Sequence, residues 1–409
     1  MLIALVPLFD ENMAVSAYSV FTQRHNYLLN PSMLGTAQHD GAAQVEGLEL
    51  IRSIGIETLS DDKEIFVPVT NISVLADLER QCDAPPGRIV FLIDNTVPPV
   101  EMYINRLKQL KEEGFKLAIR KLAVSEFENY REILSLMDYV FLNNHKIAID
   151  KAKIYFGKLY PHIKLCAGNI DDMELFENLK KQGGYSLYEG NFYRLPVTQG
   201  SGNQVAPLKL NYIELLNIVN AEDFDLQKAA DIIGRDTALT ISLLGMVNRM
   251  TVRSGITSMR HAAAMLGQKE LKRWINTAVA GKMSADKPSE ITRLSLIRGR
   301  FAENLASGFG LAVKKDELFL MGLFSVLDVI LEKPMDEALE YMQVAGDIEK
   351  ALTSGEGILA PVFEFVLQYE AANWQEVSRQ MVLGNMTMDF VQQAYMNALE
   401  WYKELVVEN

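Results

Sequence analysis

The sequence predicts two domains of different fold class, an α/β barrel of the TIM type followed by an all-α domain. From Met1 to about Pro196, short apolar runs alternate with helical stretches, and almost no strand pattern follows. A length of 409 residues also suits two domains better than one. We therefore predict a barrel over residues 1–197, a linker over 198–207 and a helical domain over 208–409.

Eight strand-length runs predict the barrel. Several are apolar throughout, which is typical of strands buried on both faces. Helical segments such as Pro99–Glu113 and Asp171–Lys181 separate them and are followed by glycines. This repetition indicates parallel βα units that form a closed or nearly closed barrel, shortened or degenerate relative to a full TIM barrel. The runs are Leu2–Phe9, Val15–Phe21, Glu64–Val69, Arg88–Ile93, Phe115–Ile119, Tyr139–Leu142, Ile163–Ala167 and Tyr185–Tyr188.

The second half reads as helical throughout. A Gly/Ser-containing stretch between Val197 and Pro207 predicts the linker that precedes it. Asp225 is a candidate N-cap for a helix that ends at Ile233, and Asp236 for a helix that extends to Asn248. Further helical patterns begin at Ile291, Asp316 and Thr387. We expect residues 208–409 to fold independently of the barrel.

Composition excludes several classes of function. The net charge is −13, so the surface repels phosphate backbones and nucleic acid is not an expected partner. Cys82 and Cys166 lie far apart without any Cys/His ligand spacing, which fits a reducing cytoplasm and predicts no zinc site. No apolar run is long enough to cross a bilayer. We expect a cytoplasmic protein without membrane insertion or cofactor.

Two segments near the start, Val6–Asn12 and Ala17–Phe21, resemble the opening of EAL domains, the phosphodiesterase modules that hydrolyse cyclic di-GMP. The resemblance is to those EAL domains that precede a C-terminal HDOD module. It is diverged but collinear, and it continues at Glu64–Thr70, Gly114–Ile119, Asp138–Asn143 and Gly184–Pro196. It implies that the predicted barrel is of the EAL type.

The helical half resembles the HDOD module itself. The segment Leu226–Asn248 matches the HDOD signature, with Asp236, Leu239 and Asn248 at its characteristic positions. Ser258–Gly267 resembles the S-x-x-x-A-x-x-x-L-G element that follows, and Glu317–Ser325 resembles a segment typical of these two-domain proteins. We interpret Asp236, Leu239, Asn248 and Gly267 as structural residues of this module.

The resemblance also implies where metal ligands would lie in the barrel, and the sequence departs from that pattern. Ser19 stands in place of the motif glutamate and Pro68 in place of an asparagine ligand. Arg120 and Lys121 replace paired aspartates and so reverse the charge. Divalent cations need clustered oxygen ligands, so we predict neither a metal site nor a catalytic residue. The remaining degenerate positions are Phe91, Asn143, Gly168 and Glu189.

The helical half has no set of ligands for a phosphohydrolase either. Hydrolases of the HD type need histidines and aspartates for metal, whereas this half contains one histidine, His261. The dipeptide His39-Asp40 belongs to the other half and is interpreted as part of a turn.

These losses predict a non-catalytic signalling scaffold that acts through contacts with signalling proteins, whose identity the sequence does not give. Two alternatives stay open: a nucleotide sensor that binds without hydrolysis, and a weakly active cyclic di-GMP phosphodiesterase. Arg120 and Lys121 are then either ordinary loop residues or a small anion-binding pocket. The almost wholly apolar segment Leu318–Leu331 is either a buried central helix or a surface for a partner or for self-association into a homo-oligomer.

Overall fold

The structure, a computed structural model, describes residues 1–23, 26, 28, 44–196, 205–221, 223–236, 239–243, 266–342 and 344–408. Its contacts divide into two compact units. The first contains Met1–Leu195 and Phe365–Leu399, and the second contains Pro196–Glu364 and Glu400–Asn409. Across the described part of the chain, none of the helices combines the length and apolar composition that crossing a bilayer requires.

Eight strands close into a barrel in chain order, as predicted. The first strand is antiparallel to both of its neighbours, and the other neighbouring pairs are parallel. The observed ends lie within a few residues of the predicted ones. The strands are β1 (Leu2–Phe9), β2 (Val15–Gln23), β3 (Glu64–Pro68), β4 (Ile89–Asp94), β5 (Lys116–Arg120), β6 (Tyr139–Asn143), β7 (Lys164–Ile170) and β8 (Leu187–Gly190).

Helices follow the strands and bury their apolar faces. In the second of the predicted examples, the Asp172 carboxylate accepts a hydrogen bond from the Leu175 backbone N–H at 2.7 Å and caps the helix. The helices that accompany the strands are α1 (Glu46–Ile54), α2 (Ile56–Ser60), α3 (Glu101–Glu112), α4 (Arg131–Leu134), α5 (Ile149–Leu159) and α6 (Met173–Gln182).

The barrel interior is filled by one buried cluster that draws on all eight strands. Successive side chains of a strand point to opposite faces, so residues two positions beyond a member of this cluster also face the interior. The cluster contains Leu8, Ala17, Phe66, Val90, Leu92, Ala118, Tyr139, Phe141, Cys166 and Leu187.

The second unit is helical, and its described residues contain no strand. Its helices are α7 (Pro207–Asn220), α8 (Leu226–Ile233), α9 (Gln268–Met283), α10 (Ser289–Leu305), α11 (Lys315–Phe324), α12 (Leu327–Leu331), α13 (Met335–Leu339) and α14 (Gly346–Thr353). Three more helices follow along the chain and lie wholly or largely in the first unit. They are α15 (Ala360–Glu370), α16 (Trp374–Leu383) and α17 (Met388–Glu408).

The seam between β1 and β8 is the weakest part of the barrel wall. β1 pairs with β2 along its length but with β8 only through Phe9 and Tyr188. The C-terminal helices supply further contacts to the β1–β2 hairpin. The Ile3 N–H donates to the Tyr369 hydroxyl at 3.1 Å, and the Gln23 side-chain amide donates to the Ser378 hydroxyl at 2.9 Å. Residues 365–399 therefore complete the barrel unit.

This packing differs from the predicted domain bounds, which assigned all of 208–409 to one helical domain. The two units divide between Leu195 and Pro196, and Phe365–Leu399 pack with the barrel. Whether residues 208–409 fold independently stays a prediction. The predicted linker falls mainly on residues 197–204, outside the described part of the chain.

Two glycines allow the segment Glu317–Ser325 to pack closely against α10. A Cβ atom on Gly299 of α10 would lie 2.9 Å from the carbonyl oxygen of Phe319 in α11, and one on Gly322 would collide with the α10 backbone. The Ser295 hydroxyl bridges the same helices by donating to the Leu323 carbonyl at 2.6 Å. Glycine is thus needed where the two helix backbones approach closely.

The apolar segment Leu318–Leu331 forms two helices, α11 and α12, rather than one. Its apolar side chains are buried within the unit apart from Val329, which is half-buried. Of the two interpretations considered, burial therefore favours the central core helix. A surface for a partner has to lie elsewhere.

Changing Asp236 to Ala is expected to lower the free energy of unfolding by about 1–2 kcal/mol. One Asp236 carboxylate oxygen accepts from the Leu239 backbone N–H at 2.9 Å, the contact expected of an N-cap, and the other accepts from the Tyr212 hydroxyl at 2.7 Å. Urea denaturation would measure the loss. Asp236→Asn is the matched control, because an amide oxygen can still cap the helix. Equal midpoints for the Ala variant and the parent would argue against the cap.

Candidate functional site

The parallel strands bring their carboxyl ends together at one end of the barrel, here called the mouth. Six of the eight positions predicted to be degenerate face the interior there, because each lies two residues beyond a member of the interior cluster. They are Ser19, Pro68, Arg120, Asn143, Gly168 and Glu189. These six residues therefore share the interior face of the barrel, and their assignment as degenerate metal-site positions stays a prediction.

Phe91, which was also predicted as a position of the degenerate site, does not face the interior. Its ring lies on the outer side of β4, with its centroid 4.9 Å from that of Phe115. The adjacent Leu92 belongs to the interior cluster. Leu92, rather than Phe91, thus occupies the interior position of β4, and it carries no polar atom on its side chain.

Arg120 and Glu189 form an ion pair inside the mouth. Their closest atoms, Arg120 Nη2 and Glu189 Oε1, are 3.8 Å apart, and the side chains are 23% and 15% exposed. The guanidinium carbon also lies 5.5 Å and 5.9 Å from the ring centroids of Phe21 and Phe141. Aromatic faces attract cations, so these rings help to hold the guanidinium inside the barrel.

Gly168 leaves room for the Glu189 carboxylate, since a Cβ atom at that position would lie 3.4 Å from Glu189 Oε2. Burial raises the pKa of Glu189, and the nearby Arg120 charge only partly opposes the shift. The carboxylate is therefore costly to keep charged at this place, and it depends on the guanidinium for compensation.

Ser19 of β2 pairs with Phe66 of β3. It is fully buried, and its hydroxyl oxygen has no hydrogen-bond partner among the described residues. A buried hydroxyl without a partner costs free energy, so this position is a local cost to the stability of the barrel.

Lys121 does not share the position of Arg120. Its amine lies 3.2 Å from an Asp94 carboxylate oxygen and is 66% exposed. Burial acts to raise the pKa of Asp94, but hydrogen bonds from Thr96 and Lys121 outweigh it and leave the pKa below its ordinary value. The two adjacent cations thus engage different carboxylates, and the structure does not bring them together on one anion.

The chemistry that these groups permit is limited. The carboxylates of Asp94 and Glu189, both at the mouth, each have a cation beside them. The Asn143 side-chain oxygen accepts from the His145 backbone N–H at 3.0 Å and shapes its own loop. Over the residues that the structure describes, no three His, Cys, Asp or Glu side chains group closely enough to hold a metal ion.

Two of the residues predicted to mark the helical module, Leu239 and Gly267, lie where burial or backbone conformation explains them. Leu239 is 2% exposed, and Gly267 has a φ of 76° directly before α9, a conformation that favours glycine. Asn248 lies outside the described residues, as do His39, Asp40 and His261.

Comparison with known proteins identifies the helical module. Residues 206–353 match the HDOD domain family, so the C-terminal part of the chain contains an HDOD domain, as predicted. The chain is 26% identical to a cyclic di-GMP phosphodiesterase, CdgJ, of Vibrio cholerae, over 78% of this chain and 74% of that protein. It is also 26% identical to an uncharacterized protein, YuxH, of Bacillus subtilis, over 99% of this chain and 98% of that protein.

Solved structures that match part of the chain include EAL proteins. An EAL domain protein from Listeria monocytogenes is 14% identical, with a TM-score of 0.36, over 47% of this chain and 86% of that one. An EAL enzyme in a form bound to cAMP and cyclic di-GMP is 15% identical, with a TM-score of 0.34. The alignment spans 46% of this chain and 60% of that enzyme. At such TM-scores the likeness adds nothing to the barrel described above.

Proposed function

We propose that this HDOD-containing chain is a non-catalytic scaffold of cyclic di-GMP signalling that acts through contacts with other signalling proteins. The signalling context is supported by the similarity to a relative that is itself named a cyclic di-GMP phosphodiesterase. The absence of catalysis is a separate step, and it rests on the residues at the mouth of the barrel.

The Arg120–Glu189 pair is the observation that carries the proposal. Metal-assisted hydrolysis of a phosphodiester needs cations held by several oxygen ligands, which activate water and neutralise the phosphate. Here a guanidinium fixed between two aromatic rings lies beside the Glu189 carboxylate. A divalent cation at the same carboxylate would be repelled by Arg120. The interior positions of β2, β3 and β4 carry Ser19, Pro68 and Leu92 rather than further carboxylates.

We therefore expect the purified protein not to hydrolyse cyclic di-GMP with either magnesium or manganese. The measurement is chromatographic detection of the linear dinucleotide, with an active phosphodiesterase as a positive control in parallel. Turnover above the buffer blank that EDTA abolishes would contradict the proposal and favour the alternative of a weakly active enzyme.

A second candidate function is a sensor that binds a nucleotide without cleaving it. Arg120 favours it, because its guanidinium is 23% exposed at the mouth and can donate to a phosphate. Calorimetry with cyclic di-GMP distinguishes the two functions. Binding by the parent that Arg120→Met abolishes and Lys121→Met preserves would favour the sensor, and no binding would favour the scaffold.

A further inference from the structure

A cavity of about 140 Å³ lies among the helices of the second unit. Helices α7, α9, α11 and α14 and the segment between α13 and α14 contribute its walls. Most of the wall is apolar, with Leu216, Leu320, Phe324, Met342 and Ile348, and Lys272 contributes a cation.

Lys272 is the unusual member of this wall. Its side chain is half-buried, and no described residue forms a hydrogen bond or a close ion pair with its amine. Burial lowers the pKa of Lys272, and the more distant Asp316 opposes the shift. A half-buried cation that has no close ion pair among the described residues is costly, so the site favours an anion that can approach the amine.

The other polar groups of the wall are engaged. The Asn217 amide donates to the Tyr341 carbonyl at 3.0 Å. The Asn220 amide donates to the Leu216 carbonyl at 2.9 Å and exchanges hydrogen bonds with Asn276. Lys272 is therefore the donor that the described lining leaves for a ligand.

Two acidic residues at the cavity could oppose an anion. Glu317 is neutralised by Lys314, whose amine lies 2.8 Å from its carboxylate. Asp316 is exposed to solvent, where its charge is screened, and it forms no close pair with Lys272. Neither carboxylate thus removes the requirement of Lys272 for a counter-ion.

We propose that this cavity binds a short aliphatic carboxylate. The carboxylate accepts from the Lys272 amine, and a chain of three or four carbons packs against Leu320, Phe324 and Ile348. The same chemistry is available from a free carboxylate and from a glutamate side chain of a partner protein. The proposal concerns the second unit and is independent of whether the barrel is catalytic.

The test uses the full-length protein with butyrate and with N-acetylglutamate amide, a blocked glutamate residue. Butyramide, the neutral isostere of butyrate, and butylamine, a cation of similar size, are the ligand controls. A tenfold excess of a bound carboxylate over its Kd should raise the Tm by roughly 3–5 °C, and isothermal calorimetry should detect the same binding. Butyramide and butylamine should leave the Tm unchanged.

Binding of butyrate alone would support a free ligand, and binding of the blocked glutamate would support a partner's side chain. Lys272→Met should abolish both, whereas Lys269→Met, an exposed lysine of the same helix, should bind like the parent. If Lys272→Met does not fold, the test is the Tm shift caused by butyrate compared with that caused by butyramide. Both shifts are measured on the parent and on Lys272→Arg. Equal shifts with butyrate and butyramide, or no binding of either carboxylate, would overturn the proposal.

Discussion

A fragment that ends at residue 197 is expected to be insoluble or to lose cooperative unfolding, although it contains every strand of the barrel. In the whole chain, Leu2 and Ile3 are fully buried, and β1 meets β8 at a single residue pair. The fragment would expose the β1 edge and leave the Ile3 N–H without its acceptor, Tyr369. An exposed apolar strand edge promotes aggregation.

The fragment also loses its apolar contacts with the C-terminal helices, and this loss should lower its stability strongly. Tyr369, Val377, Met381 and Val391 are fully buried in the whole chain. Burying one such aliphatic side chain contributes roughly 1.5–3 kcal/mol. The free energy of unfolding of a typical domain is only about 5–15 kcal/mol, so a barrel without these helices has little left to hold it folded.

Solubility and thermal unfolding followed by circular dichroism would measure this loss. Tyr369→Phe in the full-length chain isolates one contact, and it should cost about 1–3 kcal/mol because a buried N–H loses its acceptor. Tyr103→Phe is the matched control, since the hydroxyl of this buried tyrosine has no hydrogen-bond partner among the described residues. A soluble 1–197 fragment that unfolds as cooperatively as the whole chain would show that the C-terminal helices are dispensable.

Changing Arg120 to Met should lower the free energy of unfolding by about 3 kcal/mol at neutral pH. Met can still pack between Phe21 and Phe141, but Glu189 is left without a counter-charge at a mostly buried position. Adding Glu189→Gln should recover most of the loss by removing the isolated charge. Lys121→Met is the control, because an exposed ion pair contributes at most about 1 kcal/mol.

The loss from Arg120→Met should depend on pH in a defined direction. The pKa of Glu189 is raised in the folded chain, whereas an unfolded glutamate titrates near 4.3. Above the unfolded pKa the folded state thus binds more protons than the unfolded state, so this group lowers the stability as the pH rises through its folded pKa. Without Arg120 the folded pKa rises further, and the penalty extends to higher pH.

Urea midpoints of the parent and the Arg120→Met variant at pH 5 and pH 8 would test this direction. The difference between them should be larger at pH 8 than at pH 5, because the destabilisation caused by a raised folded pKa grows as the pH rises. A difference that is independent of pH would mean that Arg120 contributes through packing alone.

The strands could be predicted because parallel barrel strands are apolar on both faces, and such runs stand out in a sequence. Because both faces are apolar, the sequence does not indicate which residues of a strand face the barrel interior and which face the helices. In β4 the residues from Ile89 to Ile93 are all apolar, so nothing in the pattern distinguishes Phe91 from Leu92, and the assignment to the interior shifted by one residue. The ion pair of Arg120 with Glu189 joins strands far apart in sequence and became visible only in the closed barrel.

The helical half shows a different limit of sequence reasoning. Periodic apolar residues predicted helices and caps, including the contact of Asp236. Periodicity does not say what a helix packs against, so the assignment of Phe365–Leu399 to the barrel could not be predicted. The break between α11 and α12 at Ser325 was also missed, because the apolar run continues through it.

The hydrogen bond between Ile3 and Tyr369 has a consequence for the order in which the protein is built. Its two residues are 366 positions apart. At a translation rate of about 5–20 residues per second, the first strand would wait roughly 20–70 s on the ribosome before its acceptor is synthesised. The barrel therefore cannot finish folding during the synthesis of its own eight strands. In that interval its first strand edge is open to wrong pairing, which is where chaperones would be expected to act.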